Sequence, residues 1–178
     1  MTRMMVLGLL LTHGPMSGYE IQQMMQSAKT DMWAYVKPAS IYHALKKLRF
    51  EGKVVLETVE QTGLRTKSIF KITTDGENEL RKLLIDSFSK SSLVFPTTLY
   101  TALTFMDNLS NEEVLEALEK QETEIIGIYE SMKNGYREKE RYIGEMPGNI
   151  EAIFQNIYAQ CELQLKCITE IKNMIKES

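Results

Sequence analysis

"VKPASIYHALKKLRFEG", residues 36–52, is the stretch whose reading decides the fold. Pro38 suits the first turn of a helix, where its missing N–H costs nothing. Gly52 suits a left-handed stop just after Glu51. Between them Ile41, Ala44, Leu45 and Leu48 recur at i, i+3, i+4 and i+7, an apolar stripe that packs inward. Ala39, His43 and Lys46 project from the opposite side, flanked by Ser40, Tyr42 and Lys47. A helix face that meets only water mixes Glu with Lys. This one has no acid from Lys37 to Arg49. Small residues at its start allow close approach, and donors and acceptors follow. Such a face suits insertion into a DNA major groove, where the first turns of a helix reach base edges.

The neighbouring segments supply the rest of a small domain. "VVLETVEQTGLRTKSIFKI" (54–72) holds two β-rich runs around Gln61-Thr62-Gly63, the signature of a hairpin, with Arg65 and Lys67 near its turn. A basic hairpin after a basic helix is the layout of a winged helix-turn-helix, in which the wing reaches neighbouring phosphates. Upstream, residues 3–13 predict a first core helix broken at Gly14-Pro15. Ser17 is placed to cap a second helix over 18–28. A loop is expected from Asp31 to Lys37, anchored by burial of Trp33, the chain's one tryptophan, and of Tyr35. Thr74 and Glu77 have the spacing of a capping box that opens a further helix.

Charge divides the chain. The net charge of −3 conceals 13 Lys+Arg against 9 Asp+Glu in residues 1–90, and 8 against 15 in residues 91–178. The halves therefore carry +4 and −7, a division of labour between a basic and an acidic part. We expect two domains: 1–90, binding DNA, and 91–178, helical. In the second, "PTTLYTALTFMDNLS" (96–110) reads as a short apolar helix. Ser110 and Glu113 form a capping box before a long helix, with apolar residues at 115, 118, 125, 129, 132, 136 and 143. Pro147-Gly148 turns the chain into a last helix with apolar positions at 150, 154, 157, 161, 165, 168, 171 and 175. Two such stripes predict a helical dimer interface, centred on Phe154, Ile157, Cys161, Leu165 and Ile168, or else stripes closed on each other within one chain.

Three stretches carry a family resemblance: "VLGLLLTHGPMSGYEI" (6–21), "PASIYHALKKLRFEG" (38–52) and "IFKITTDGENEL" (69–80). In order, spacing and residue type they resemble the PadR family of bacterial transcriptional regulators, over essentially all of the first 85 residues. The resemblance implies a winged helix-turn-helix that binds operator DNA as a homodimer, usually as a repressor. It places Ser40, Tyr42, His43 and Lys46 on the recognition helix, with Lys47 beside them, and Arg65 and Lys67 on the wing. It also implies a helical, dimerising C-terminal region. The wing departs from the family's frequent Gly-Arg-Pro-Arg-Lys, having Gly63-Leu64-Arg65-Thr66-Lys67 instead. A small hydrophobic or aromatic effector is a further expected partner, and the 11 methionines could line an adaptable pocket for it.

Other readings have less support. Arg3 and the apolar run Met4–Leu11 mimic a signal peptide, but no small-x-small cleavage site follows and the run is too short to span a bilayer. A cytoplasmic location is expected. Cys161 and Cys167 lie six apart, without metal-ligand spacing. No phosphate loop or nucleophile motif points to an enzyme, and no cofactor or metal is expected. The alternative in another class is an adaptor whose winged domain contacts protein or a small molecule, without specific DNA binding. The acid-free helix face discriminates in favour of DNA.

Overall fold

The computed structural model describes the chain except Lys29, Tyr35, Gly63, Leu64 and Ser178, and except the side chains of Asp31, Met32, Glu60, Gln61, Thr62, Arg65 and Thr66. The chain forms two compact units, Met1–Leu93 and Val94–Ser178.

The first unit runs α1 (Thr2–His13), β1 (Met16–Ser17), α2 (Gly18–Ser27), α3 (Thr30–Trp33), α4 (Pro38–Phe50), β2 (Val54–Thr62), β3 (Arg65–Ile72) and α5 (Thr74–Ser89). The stripe of α4 faces inward as its spacing requires. Ile41, Leu45 and Leu48 are buried against Val6, Leu7 and Leu10 of α1, Ile21 and Met25 of α2, and Leu80 of α5. Each such side chain withdrawn from water contributes about 1.5–3 kcal/mol. Gly52, at φ 69°, turns the chain from α4 into β2. β2 and β3 pair antiparallel from Val54↔Ile72 to Thr62↔Arg65, with a register shift between Leu56 and Thr58 that leaves Glu57 as the bulged residue. Gln61 and Thr62, read from sequence as turn residues, extend the strand instead.

Four further expectations change. A third strand, β1, pairs with β3 through Met16↔Phe70 and Ser17↔Ile69, giving the sheet order β1-β3-β2. The predicted loop contains the helical turn α3. Trp33 is not its buried anchor: it is 41% exposed, and its indole Nε1–H donates to the Ala28 carbonyl at 2.9 Å. Ala34 and Val36 fill the core there, and Tyr35 lies outside the described residues. Helix α5 is capped by Thr73, not Thr74. Its Oγ1 accepts from Gly76 N at 3.1 Å, which moves Glu77 out of reach of a capping box. Thr73 wins because the same hydroxyl donates to Gly52 O at 2.8 Å, and its N–H to Lys53 O at 3.1 Å.

The second unit holds α6 (Thr97–Thr104), a 3-10 turn (Met106–Asn108), α7 (Asn111–Ile143) and α8 (Gly148–Glu177). Ser110 and Glu113 make the reciprocal capping box at the start of α7. α7 and α8 pack on each other. Ile168, Ile171 and Ile175 are buried with Leu118 at one end of this pair. Nearer its other end, the rings of Tyr136 and Phe154 meet edge to face at 5.2 Å, and those of Tyr129 and Tyr158 at 5.5 Å. Within the chain the stripe of α8 meets α7 at Phe154 and Ile168. Antiparallel helices joined by a short turn bring their apolar faces together, and Phe154, Ile157, Cys161 and Leu165 remain half-buried on this pair. Among the described residues, no helix is long and apolar enough to cross a membrane.

Candidate nucleic-acid interface

Five of the residues singled out from sequence lie together on α4. Tyr42, His43, Lys46 and Lys47 are exposed along it and Ser40 is half-buried in its first turn. The Ser40 hydroxyl donates to Lys37 O at 2.6 Å and lies 3.4 Å from Thr2 Oγ1. That hydrogen is spent closing the turn, so Ser40 meets a ligand chiefly as an acceptor. Lys37 and Arg49 add exposed cations at the two ends of the helix. Among the described residues, none of Lys37, Lys46, Lys47 and Arg49 makes an ion pair. A helix surface with four cations and, among the described residues, no carboxylate partner suits a polyanion.

The start of α2 positions Tyr42. Gly18 is the first residue of that helix, and a Cβ added to it would stand 2.7 Å from Tyr42 Cε1 and 3.2 Å from Leu45 Cδ1. The missing side chain lets the phenol ring lie against the helix end while half its surface stays open to solvent. Nothing in the local sequence reveals this contact, because it joins residues on different helices.

The wing carries Arg65 and Lys67 on β3. Lys67 is the third residue of β3 and pairs with Glu60 in the ladder, away from the hairpin tip. It lies two residues before Ile69, which is 7% exposed, so both share the inward face of the strand. There the Lys67 ammonium donates to Glu20 Oε1 on α2 at 2.8 Å. The other oxygen of Glu20 accepts from Ser17 N and Ser17 Oγ, both at 2.8 Å. These donors, Lys67 foremost, lower the Glu20 carboxyl from the ordinary 4.5 to about 2. Lys71 is likewise held, by Glu57 at 3.1 Å. The period-two alternation back from Ile69 is the signal that would have placed Lys67 inward. The Arg65 side chain lies outside the described residues. Behind these elements Arg3 of α1 bridges Glu51, just past the end of α4, and Glu79 of α5.

The chain is similar to known proteins in sequence and in fold. Residues 6–82 match the Transcriptional regulator PadR-like family. The negative transcriptional regulator PadR of Bacillus subtilis (strain 168) is 35% identical over 80 residues, a match that spans 45% of this chain and 43% of that protein. Among solved structures, Bacillus subtilis PadR in complex with operator DNA superimposes with a TM-score of 0.75 at 22% identity, covering 97% of this chain and 98% of that one. The same protein in complex with p-coumaric acid gives 0.75 at 23% identity, covering 98% of each chain. The smu.1604c protein of Streptococcus mutans UA159 gives 0.73 at 24% identity, covering 94% of this chain and 96% of its own. The family match is confined to residues 6–82, and the fold of the chain is the one seen in those structures.

Proposed function

We propose that this chain, whose residues 6–82 belong to the PadR-like family, is a DNA-binding transcriptional regulator that represses by occupying an inverted-repeat operator as a homodimer. The observation that carries the reading is the surface of α4: exposed Tyr42 and His43 in its first turns, Lys46 and Lys47 beyond them, and no acid on the helix. In this reading α4 enters the major groove N-terminus first. Ser40, Tyr42 and His43 meet base edges, while Lys46, Lys47 and the wing's Arg65 meet phosphates.

The second unit supports a pairing role. Ile126, Ile128, Ile153, Leu163 and Met174 are exposed on α7 and α8, beside the stripe whose Phe154, Ile157, Cys161 and Leu165 are half-buried. A second copy covering them completes the dimer, with its recognition helices one DNA turn apart, about 34–36 Å, or a multiple of it. An apolar cavity of about 310 Å³ between α6 and α7, lined by Leu99, Leu103, Met106, Val114 and Leu118, has the size and character for a small hydrophobic effector.

Selection of fragments from a random DNA pool, followed by footprinting, tests the reading. The expected result is one enriched inverted repeat, bound by a dimer in sedimentation. Failure to enrich any sequence, or full-affinity binding of a single unrepeated half-site by a monomer, would overturn it.

A further inference from the structure

The described cations of the wing and those of α4 are treated oppositely. Lys67 and Lys71 each face a carboxylate of their own protein, whereas Lys37, Lys46, Lys47 and Arg49 make no ion pair among the described residues. Glu20 is also no ordinary surface acid. It is the third residue of α2, and the capping box fixes its orientation: Ser17 N and Oγ hold Oε2, leaving Oε1 to face β3. Lys67 arrives from the inward face of the strand and closes the arrangement at 2.8 Å. A carboxylate gripped by a backbone N–H, a hydroxyl and an ammonium matches in charge and donor set a DNA phosphate held at a helix start.

We propose that Glu20 is a specificity-determining residue: it occupies Lys67 in the place of a DNA phosphate, latches the wing to the start of α2, and withholds one cation per protomer from sequence-independent DNA contacts. This inference rests on the DNA-binding reading above. Its consequence follows from counterion release. Each phosphate neutralised on duplex DNA steepens the dependence of log K on log salt by about 0.9, so two cations withheld from a dimer remove about 1.8 from the slope. Affinity that does not discriminate between sequences falls accordingly, while the base contacts of α4 are untouched. Glu20 stays ionised throughout the physiological range, since its carboxyl is lowered to about 2, so the latch is not a pH switch.

The test is anisotropy titration of a random-sequence duplex at several salt concentrations, using the full chain as wild type, Glu20→Gln, Lys67→Ala and the double variant. Gln keeps an oxygen for the Ser17 donors, so α2 remains capped while the charge is lost. Glu20→Gln should bind random DNA more tightly at low salt, with a slope steeper by about 1.8, an extra loss of about 12-fold between 50 and 200 mM salt. Lys67→Ala alone should leave the wild-type slope unchanged, and in the Glu20→Gln background it should cancel the gain. A flatter slope in Lys67→Ala alone means that Lys67 already touches phosphate and overturns the proposal. An unchanged slope in a folded Glu20→Gln protein overturns it equally. Should Glu20→Gln fail to fold, Lys67→Met, which leaves the cap intact, decides by the same slope criterion. Failure of the wild type to bind any DNA is distinguishable, because all the proteins then behave alike; it overturns the DNA-binding reading and this inference with it.

Discussion

Replacing Gly18 with Ala separates the positioning of Tyr42 from the stability of the domain. The new Cβ would lie 2.7 Å from Tyr42 Cε1, 3.1 Å from Cδ1 and 3.2 Å from Leu45 Cδ1. Carbon atoms settle at about 3.5 Å or beyond, so the ring has to withdraw by roughly 0.8 Å. Leu45 is 2% exposed and cannot yield, whereas Tyr42 is 50% exposed and can swing outward. The strain is thus relieved through the residue that the proposed function sets against base edges. Overpacking in a closed core costs about 1–3 kcal/mol. Relief into solvent brings that to the lower end, and Ala recovers about 0.4–1 kcal/mol over Gly by restricting the unfolded chain. Stability should fall by about 1 kcal/mol at most, from these two opposing effects. Loss of a base contact costs about 1–3 kcal/mol of discrimination, roughly 5- to 150-fold. The assay compares affinity for the selected operator and for a scrambled duplex at one salt concentration, with melting curves alongside. Gly18→Ala should approach Tyr42→Ala in lost preference, and the double variant should lose no more than Tyr42→Ala alone, because the ring that moves is already gone. Wild-type preference in Gly18→Ala, or losses that simply add, would refute the reasoning.

Gly76→Ala should be far more damaging to the fold, since its Cβ would stand 2.1 Å from the backbone oxygen of Lys53, which cannot step aside. A loss of about 3 kcal/mol or more in urea unfolding is expected, and a loss under about 1 kcal/mol would contradict the contact. Ser110→Ala removes the acceptor for Glu113 N and should cost about 1 kcal/mol, read as faster amide exchange confined to the first turn of α7. Acid should weaken the first unit through Glu20. Its folded carboxyl lies below the unfolded 4.5, at about 2, so its contribution is present above pH 4.5 and is lost as pH falls from 4.5 toward 2. With the Glu20 side chain 43% exposed, screening limits this to about 1 kcal/mol. Glu20→Gln should flatten the acid limb of melting temperature against pH by that amount, and an identical limb in both proteins would disprove the coupling.

Much was legible in the sequence because it rests on local rules. The stripe Ile41, Ala44, Leu45, Leu48 between Pro38 and Gly52 could only be an amphipathic helix with marked ends, and its acid-free opposite face could be read from the same residues. Ser17 and Ser110 announced two helix starts, since a hydroxyl there competes for backbone N–H groups within three residues. Two β-rich runs around Gln61-Thr62-Gly63 marked the hairpin. None of this required knowing what lay across space.

The tertiary structure decided whatever depended on residues distant in sequence. β1 has two residues, too few to show a period, and exists because β3 offers it a partner. Thr73 and Thr74 are equally good caps locally, and the carbonyls of Gly52 and Lys53 choose between them. Trp33 stays near the surface because Ala34 and Val36 fill the core. The stripe of α8 suited a partner subunit or its own chain equally well, and only the tertiary structure shows how much of it α7 covers: Ile168 is buried, while Phe154, Ile157, Cys161 and Leu165 stay half-buried. Glu20 and Lys67 are 47 residues apart, each plausible alone as a surface charge. Only the seating of β3 against α2 makes them a pair, since an ion pair depends on the distance between charges in space and not along the chain.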